Sequence, residues 1–249
     1  MGTNYSITDK FGGELALLLA QKITQVYPEF DSQSFVQDTE RRVLGQSYTQ
    51  RIGTIAELLR RYLPSDYGKA LSILVSILGE ENPNQTGMFT HYYWILPIGR
   101  FVQEYGLEHF DISIQAIEEI TKRNTGEYAI RPYIRRYPDE TLRVMTNWAK
   151  SPNFHLRRLA SEGLRPKLPW ASKLDTFVQD PAPVFQILEL LKEDQIMFVK
   201  KSVANHLTDW IKVNRSAVIP LIELWRASGN QHTQWIVKRA MRREKQSDE

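Results

Sequence analysis

Apolar residues recur along most of this chain at intervals of three and four, the spacing that places them on one face of an α-helix. Gly13–Val26 is the first such segment, closed by Tyr27-Pro28. Asp31 and Ser32 stand where a cap is needed for a second, with Phe35, Val36, Val43 and Leu44 as its apolar positions. Residues 47–62 keep helical register through Ile52, Ile55, Leu58 and Leu59. Pro64-Ser65-Asp66 marks a stop and a restart, and residues 67–78 are apolar enough to be buried between neighbours. After a polar loop at 79–87, the aromatic run MFTHYYWILPIGRFVQEYG predicts two helices around Pro97. Residues 107–122 predict another helix, with Ile112, Ile114, Ile117 and Ile120 inside and Glu118-Glu119 on a solvated face. No series of alternating segments joined by hairpin turns is present, so the pattern predicts an all-α protein.

From Thr125 onward the chain repeats itself loosely. AIRPYIRRY, LRRLASEG, VKKSVANHL and VKRAMRR each carry a basic pair or near-pair between apolar or small residues. Leu156-Arg157-Arg158, Val199-Lys200-Lys201 and Val237-Lys238-Arg239 are 43 and 38 residues apart. Apolar helices separate them, at 142–148, 184–191 and 218–225. This is close to the period of HEAT-type helix pairs, which stack because one pair cannot bury its own apolar face. The pattern predicts a single domain over residues 1–249, a curved solenoid of HEAT-like repeats, with residues 1–10 loosely attached or disordered. Corresponding helices then line one side, and their basic pairs form one concave basic face suited to a phosphate backbone.

The charge balance strengthens that expectation. The net charge is +3, but residues 1–119 carry 9 Lys+Arg against 15 Asp+Glu, and residues 120–249 carry 23 against 14. A basic half points to a polyanion partner, most simply nucleic acid. Zero cysteines exclude disulfides, thiolate zinc sites and cysteine nucleophiles. No apolar run is long enough to span a membrane, and Glu14 interrupts the only apolar stretch near the N-terminus. A cytoplasmic protein is the expectation. There is no phosphate-binding glycine loop, no HExxH and no Gly-x-Ser-x-Gly. His206 and Asp209, three apart on a helix, have no further clustered ligands, so neither a metal nor a cofactor is expected.

Residues 151–170, SPNFHLRRLASEGLRPKLPW, concentrate the remaining chemistry. Ser151 or Asn153 can cap a short helix with Leu156, Leu159, Ala160 and Gly163 on one face. Arg158, Glu162 and Arg165 fall on the opposite face, a carboxylate between two guanidinium groups. Taken alone, that is an ordinary solvated ion pair or something more. Pro166 and Pro169 stop the helix and leave Trp170 at the turn, as an exposed stacking surface or as a plug for the next repeat. Trp94, Trp148 and Trp225 fall in apolar stretches and read as core. Glu127 heads a second basic segment, with Arg131 and Arg135 at i+4 and i+8 and with Pro132 as a kink or a first turn. Acids on a basic track repel phosphates, so a local cost to DNA binding points to another purpose: meeting developing positive charge.

These residues resemble a known family. ILPIGRFVQEYGLEHFD (95–111), ITKRNTGEYAIRPYI (120–134), NFHLRRLASEGLRPKLPWA (153–171) and FVKKSVANHLTDWIK (198–212) are similar to the HEAT-like-repeat alkylpurine DNA glycosylases, and within them to the AlkC branch. The related AlkD branch shares the architecture but not the 153–171 segment. The resemblance implies a monomeric bacterial DNA repair protein that binds double-stranded DNA on its concave face, bends it, and releases 3-methyladenine and methylated cytosine without a cofactor. It implies that Glu127 of TGEYAIRP and Glu162 of LASEGLRP lie near the glycosidic bond, Trp170 of LPW at the lesion, and Arg158 and Asp209 in support. Arg131, Arg157, Arg165, Lys167, Lys200, Lys201, Lys238 and Arg239 are then the expected DNA-binding cations. Longer relatives append an immunoglobulin-like domain that is not expected here. The competing expectation is a non-catalytic HEAT-repeat protein for damaged or branched DNA.

Overall fold

A computed structural model of the chain describes residues 6–87 and 91–243. Among these residues all regular structure is helical, with thirteen α-helices. The chain forms two compact units, one of Met1–Asn82 with Gly87–Ala129, the other of Pro83–Thr86 with Ile130–Glu249.

The first unit contains α1 (Gly13–Val26), α2 (Ser32–Arg42), α3 (Tyr48–Tyr62), α4 (Tyr67–Ser76), α5 (Leu96–Tyr105) and α6 (Phe110–Thr121). Short polar residues start several of them. Asp31 accepts from the Ser34 amide, the Gln50 side chain accepts from the Ser47 amide, and Asp66 accepts from the Lys69 amide. Around Pro97 the chain forms one α-helix, not two. A 3₁₀ turn at Tyr93–Ile95 leads directly into α5, and Pro97 occupies its first turn, where a missing N–H costs nothing. Met88, Phe89 and Thr90 of that run lie outside the described residues. Ile112 is 39% exposed and Leu44 76% exposed, so both face away from the core that Ile114, Ile117, Ile120 and Val43 enter. Of the N-terminal stretch expected to be loose, residues 1–5 lie outside the described residues. Ser6–Lys10 form a turn, in which Asp9 accepts from the Ser6 amide and the Thr8 carbonyl accepts from Arg51.

The second unit contains α7 (Arg131–Arg136), α8 (Pro138–Ala149), α9 (Phe154–Glu162), α10 (Ala182–Leu191), α11 (Met197–Val213), α12 (Arg215–Arg226) and α13 (Gln231–Ala240). Pro132 lies in the first turn of α7 and does not kink it. The helices form two layers. In one, α11 packs between α9 and α13; in the other, α8 contacts α10. The α8–α9 and α12–α13 pairs join them. The three basic segments read from the sequence therefore belong to adjacent helices. Val199, Val203, Leu207 and Trp210 of α11 are buried at helical spacing, each contributing about 1.5–3 kcal/mol on removal from water. That burial fixes the helix's rotation and leaves Lys201, Asn205, Thr208 and Lys212 as its most accessible stripe.

Candidate active site

Glu162 is the last residue of α9, a helix capped at its start by Asn153 accepting from the His155 amide. The helix ends four residues before Pro166, earlier than the prolines required. At Gly163 a Cβ would come within 2.9 Å of both Ile130 Cγ2 and Met145 Cε, so glycine allows the chain to pass close to its neighbours as it leaves the helix.

The Glu162 carboxylate is buried, 6% exposed, and is not the solvated ion pair that its helical spacing allowed. Arg165 Nη1 donates to Oε1 at 2.6 Å, and Arg158 Nη2 stands 3.4 Å from the same oxygen. Ser202 Oγ of α11 donates to Oε2 at 2.5 Å. Arg165 also donates through Nε to Asp209 Oδ2 at 2.8 Å, so two carboxylates share one guanidinium. Burial by itself pushes the Glu162 carboxyl up. The charges of Arg158 and Arg165 and the bonds from Ser202 and Arg165 outweigh it and hold the group below the ordinary carboxylate range. Burial pushes Asp209 up; its bond to Arg165 opposes this, and the nearby Glu162 charge adds to it. Glu162, with two cations, is the carboxylate that remains firmly ionised.

The segment that follows carries Trp170, which is 88% exposed and therefore no plug. Its φ of 63° is the one positive value at a non-glycine among the described residues. A left-handed backbone at a bulky residue costs roughly 1–2 kcal/mol and persists where the surroundings enforce it. Two arginines of α7 enforce it here. Arg131 Nη1 donates to the Gly163 and Arg165 carbonyls at 3.2 and 2.9 Å, and Nη2 to the Ser172 carbonyl at 2.6 Å. Arg135 Nη2 donates to Ser172 Oγ and the Lys173 carbonyl at 2.7 and 2.9 Å.

Several cations expected on a phosphate track are committed elsewhere. Arg131 is buried at 2% exposure, a staple for the 163–173 segment and not a surface cation. Arg165 is buried between its two carboxylates. Arg157 binds Asp194 at 2.6 Å and the carbonyls of Ser151 and Pro152, which ties the start of α9 to the α10–α11 connection. Arg158 lies over the Phe198 ring at 4.8 Å as well as beside Glu162. Lys200 and Lys201 do not act as a pair, because adjacent helical residues point about 100° apart. Lys200 is buried, 3.2 Å from His232 Nδ1 and 5.4 Å over Trp235, whereas Lys201 is exposed. Arg239 lies over Trp235 at 5.5 Å. Lys167, Lys201 and Lys238 are exposed and make no ion pair among the described residues. Lys212, absent from the sequence-based set, joins them, and its spacing from Lys201 along a polar stripe was the available signal. Ser202 was missed as well; its mark in the sequence is a polar residue on the apolar side of α11.

Glu127 belongs to the first unit, in a turn after α6 and not on a helix. It is buried, and its Oε2 accepts from Thr125 Oγ1 at 2.9 Å. Gly126 makes the turn possible, since a Cβ there would meet Thr121 Oγ1 at 2.6 Å and Ile117 Cγ2 at 2.7 Å. His206 is not paired with Asp209; it faces Ser161 at 3.5 Å. Among the described residues no three His, Asp or Glu side chains cluster to hold a metal, and no helix is long and apolar enough to cross a membrane.

Residues 98–243 match the family described as DNA alkylation repair enzyme. The chain belongs to the DNA alkylation repair enzyme family. Within and around that family, the alkylpurine DNA glycosylase AlkC of Pseudomonas fluorescens, solved bound to DNA containing an abasic site analog, has the same HEAT-like helical-repeat fold. The TM-score is 0.85 at 34% identity, over 95% of this chain and 64% of that one. The uncharacterized protein YhaZ of Bacillus subtilis (strain 168) is 33% identical over 234 residues, 93% of this chain and 62% of the relative. The chain thus spans less than two thirds of the length of either.

Proposed function

We propose that this chain is a DNA glycosylase that hydrolyses the N-glycosidic bond of cationic alkylated bases, 3-methyladenine and methylated cytosine, in duplex DNA during base excision repair. The observation that carries the reading is Glu162: a buried carboxylate kept ionised by two arginines and a serine in a family of alkylation repair enzymes. Alkylation gives the base a positive charge, so it departs as a neutral leaving group with the electrons of the C1′–N bond and needs no general acid. The positive charge passes to the deoxyribose, where a fixed anion stabilises it in a dry site. Water then adds at C1′ and loses a proton. A carboxyl held below the ordinary range is a poor base, so Glu162 serves as the fixed charge and not as the base for the water. Trp170 stacks against the base or sugar, and Lys167, Lys201, Lys212 and Lys238 take backbone phosphates.

A specific observation favours the alternative of a non-catalytic DNA-binding protein. Both Glu162 oxygens already have partners, as in a structural ion cluster. Mass spectrometry of bases freed from methylated duplex DNA separates the two. Release of 3-methyladenine or methylated cytosine is expected, reduced about 10²–10³-fold in Glu162→Gln with DNA affinity equal or higher. No release by the unaltered protein sinks the enzymatic reading.

A further inference from the structure

We infer that Ser202, Ser161 and His206 are positioning residues for Glu162, a buried hydrogen-bond relay from α11 that fixes the rotamer and the charge of the carboxylate. This deepens the glycosylase reading and rests on it for its catalytic consequence; the relay itself does not. Oxygen separations are 2.5 Å for Ser202 to Glu162 Oε2 and 3.0 Å for Ser202 to Ser161, and His206 Nδ1 lies 3.5 Å from Ser161 Oγ. All three residues are buried, so water does not compete for these bonds.

The direction of the relay follows from proton counting. An ionised carboxylate only accepts, so the single Ser202 hydroxyl proton goes to Glu162. The same hydroxyl is also the donor toward Ser161 Oγ at 3.0 Å, so the shorter bond to Glu162 holds the proton and Ser161 is its weaker second acceptor. His206 Nδ1 faces Ser161 Oγ, Nε2 has no partner among the described residues, and the Ser161 and Leu164 carbonyls accept from the ring, which places the ring proton on Nδ1. The ring stays neutral: burial first, and the Arg165 charge second, lower its pKa to about 3. A neutral ring of fixed tautomer orients the serines without adding a second cation beside Asp209. Two cations hold Glu162 Oε1 from one side, and the relay holds Oε2 from the other.

Two measurements on the full chain test this. The first uses no substrate: ¹⁵N NMR of the imidazoles. At neutral pH the His206 ring is expected with Nδ1 protonated and Nε2 bare, and both Ser161→Ala and Ser202→Ala are expected to shift its Nδ1 resonance. A ring protonated at Nε2, or one indifferent to Ser202→Ala, overturns the relay even if the protein is a glycosylase. The second is the pH profile of base release. Ser202→Ala removes one of the groups holding Glu162 ionised, leaving Arg158 and Arg165 with Asp209 behind Arg165. Its acid limb is expected to move to higher pH, and its single-turnover rate to fall about tenfold with DNA affinity unchanged. Ser202→Thr, which keeps the hydroxyl, is expected to restore both. An unmoved acid limb, or a loss in Ser202→Thr equal to that in Ser202→Ala with similar Tm, overturns the positioning role. Absence of release by the unaltered protein overturns the glycosylase reading and leaves the NMR result to decide the relay.

Discussion

In the first unit, basic side chains meet carboxylates at the surface: Arg41 with Asp38, Arg42 with Glu57, Arg100 with Glu104, and Lys122 and Arg123 with Glu119. In the second unit, Arg158 and Arg165 are gathered around Glu162 and Asp209, while Lys201, Lys212 and Lys238 of α11 and α13 are exposed and make no ion pair among the described residues, Lys212 acting on Asp209 only through its charge. The same residue types thus serve three purposes. Exposed matched pairs contribute little stability; a buried guanidinium defines the state of the acids around it; an unmatched lysine is left for an anion from outside. What separates these uses is the company of each cation, not the number of cations.

The sharpest break of this comparison lies in the buried set. Arg165→Met leaves Glu162 and Asp209 buried without their shared cation and is expected to cost about 3–5 kcal/mol in denaturant unfolding. Arg42→Met, which opens an exposed pair, is expected to cost less than about 1 kcal/mol. Equal costs at the two sites would remove the distinction. Next in size is the effect of acid. His206 titrates near 3 in the folded chain against an ordinary value of 6.5, so the unfolded chain binds more protons between those values. Stability is therefore present in full above pH about 6.5 and falls as pH drops toward about 3. The lowered Glu162 acts in the same sense below 4.5, and the raised Asp209 opposes it. His206→Gln is expected to flatten the upper part of that decline.

The unmatched lysines should behave oppositely to both. Lys201→Ala, Lys212→Ala and Lys238→Ala together are expected to change unfolding free energy by no more than about 0.5 kcal/mol per site. They are expected to weaken duplex DNA binding and to reduce the slope of log affinity against log salt by about 0.9 per lost phosphate contact. The same three changes at Arg41, Arg61 and Arg123 should leave that slope unaltered. Trp170→Gly tests the exposed indole. Relief of the left-handed backbone is expected to stabilise the fold by up to about 1 kcal/mol while base release declines, so stability and activity move apart.

The helices were legible because periodicity and caps are local. Asp31, Asp66, Asn153 and Pro97 each mark a start within a turn of where it occurs. The basic helices and the Glu162 segment were legible for the same reason. What could not be read was which neighbour each side chain meets. Ser202 reaches Glu162 from 40 residues away, and the carbonyls that occupy Arg131 come 32 to 41 residues later. Spacing shows that Lys200 and Lys201 are adjacent; only packing against α13 shows that one of them is buried. Exposure of Trp170 was equally open, because the arginines that hold its segment lie on another helix.

Trp170 also has a spectroscopic consequence. Of the six tryptophans, Trp94, Trp148, Trp210 and Trp225 are buried and Trp235 is half-buried, so the water-exposed part of the intrinsic emission belongs mainly to one indole. A collisional quencher such as acrylamide reaches that indole first. Any molecule that settles over it shifts the emission to the blue and shields it from the quencher, so the unlabelled protein reports optically on occupation of that surface.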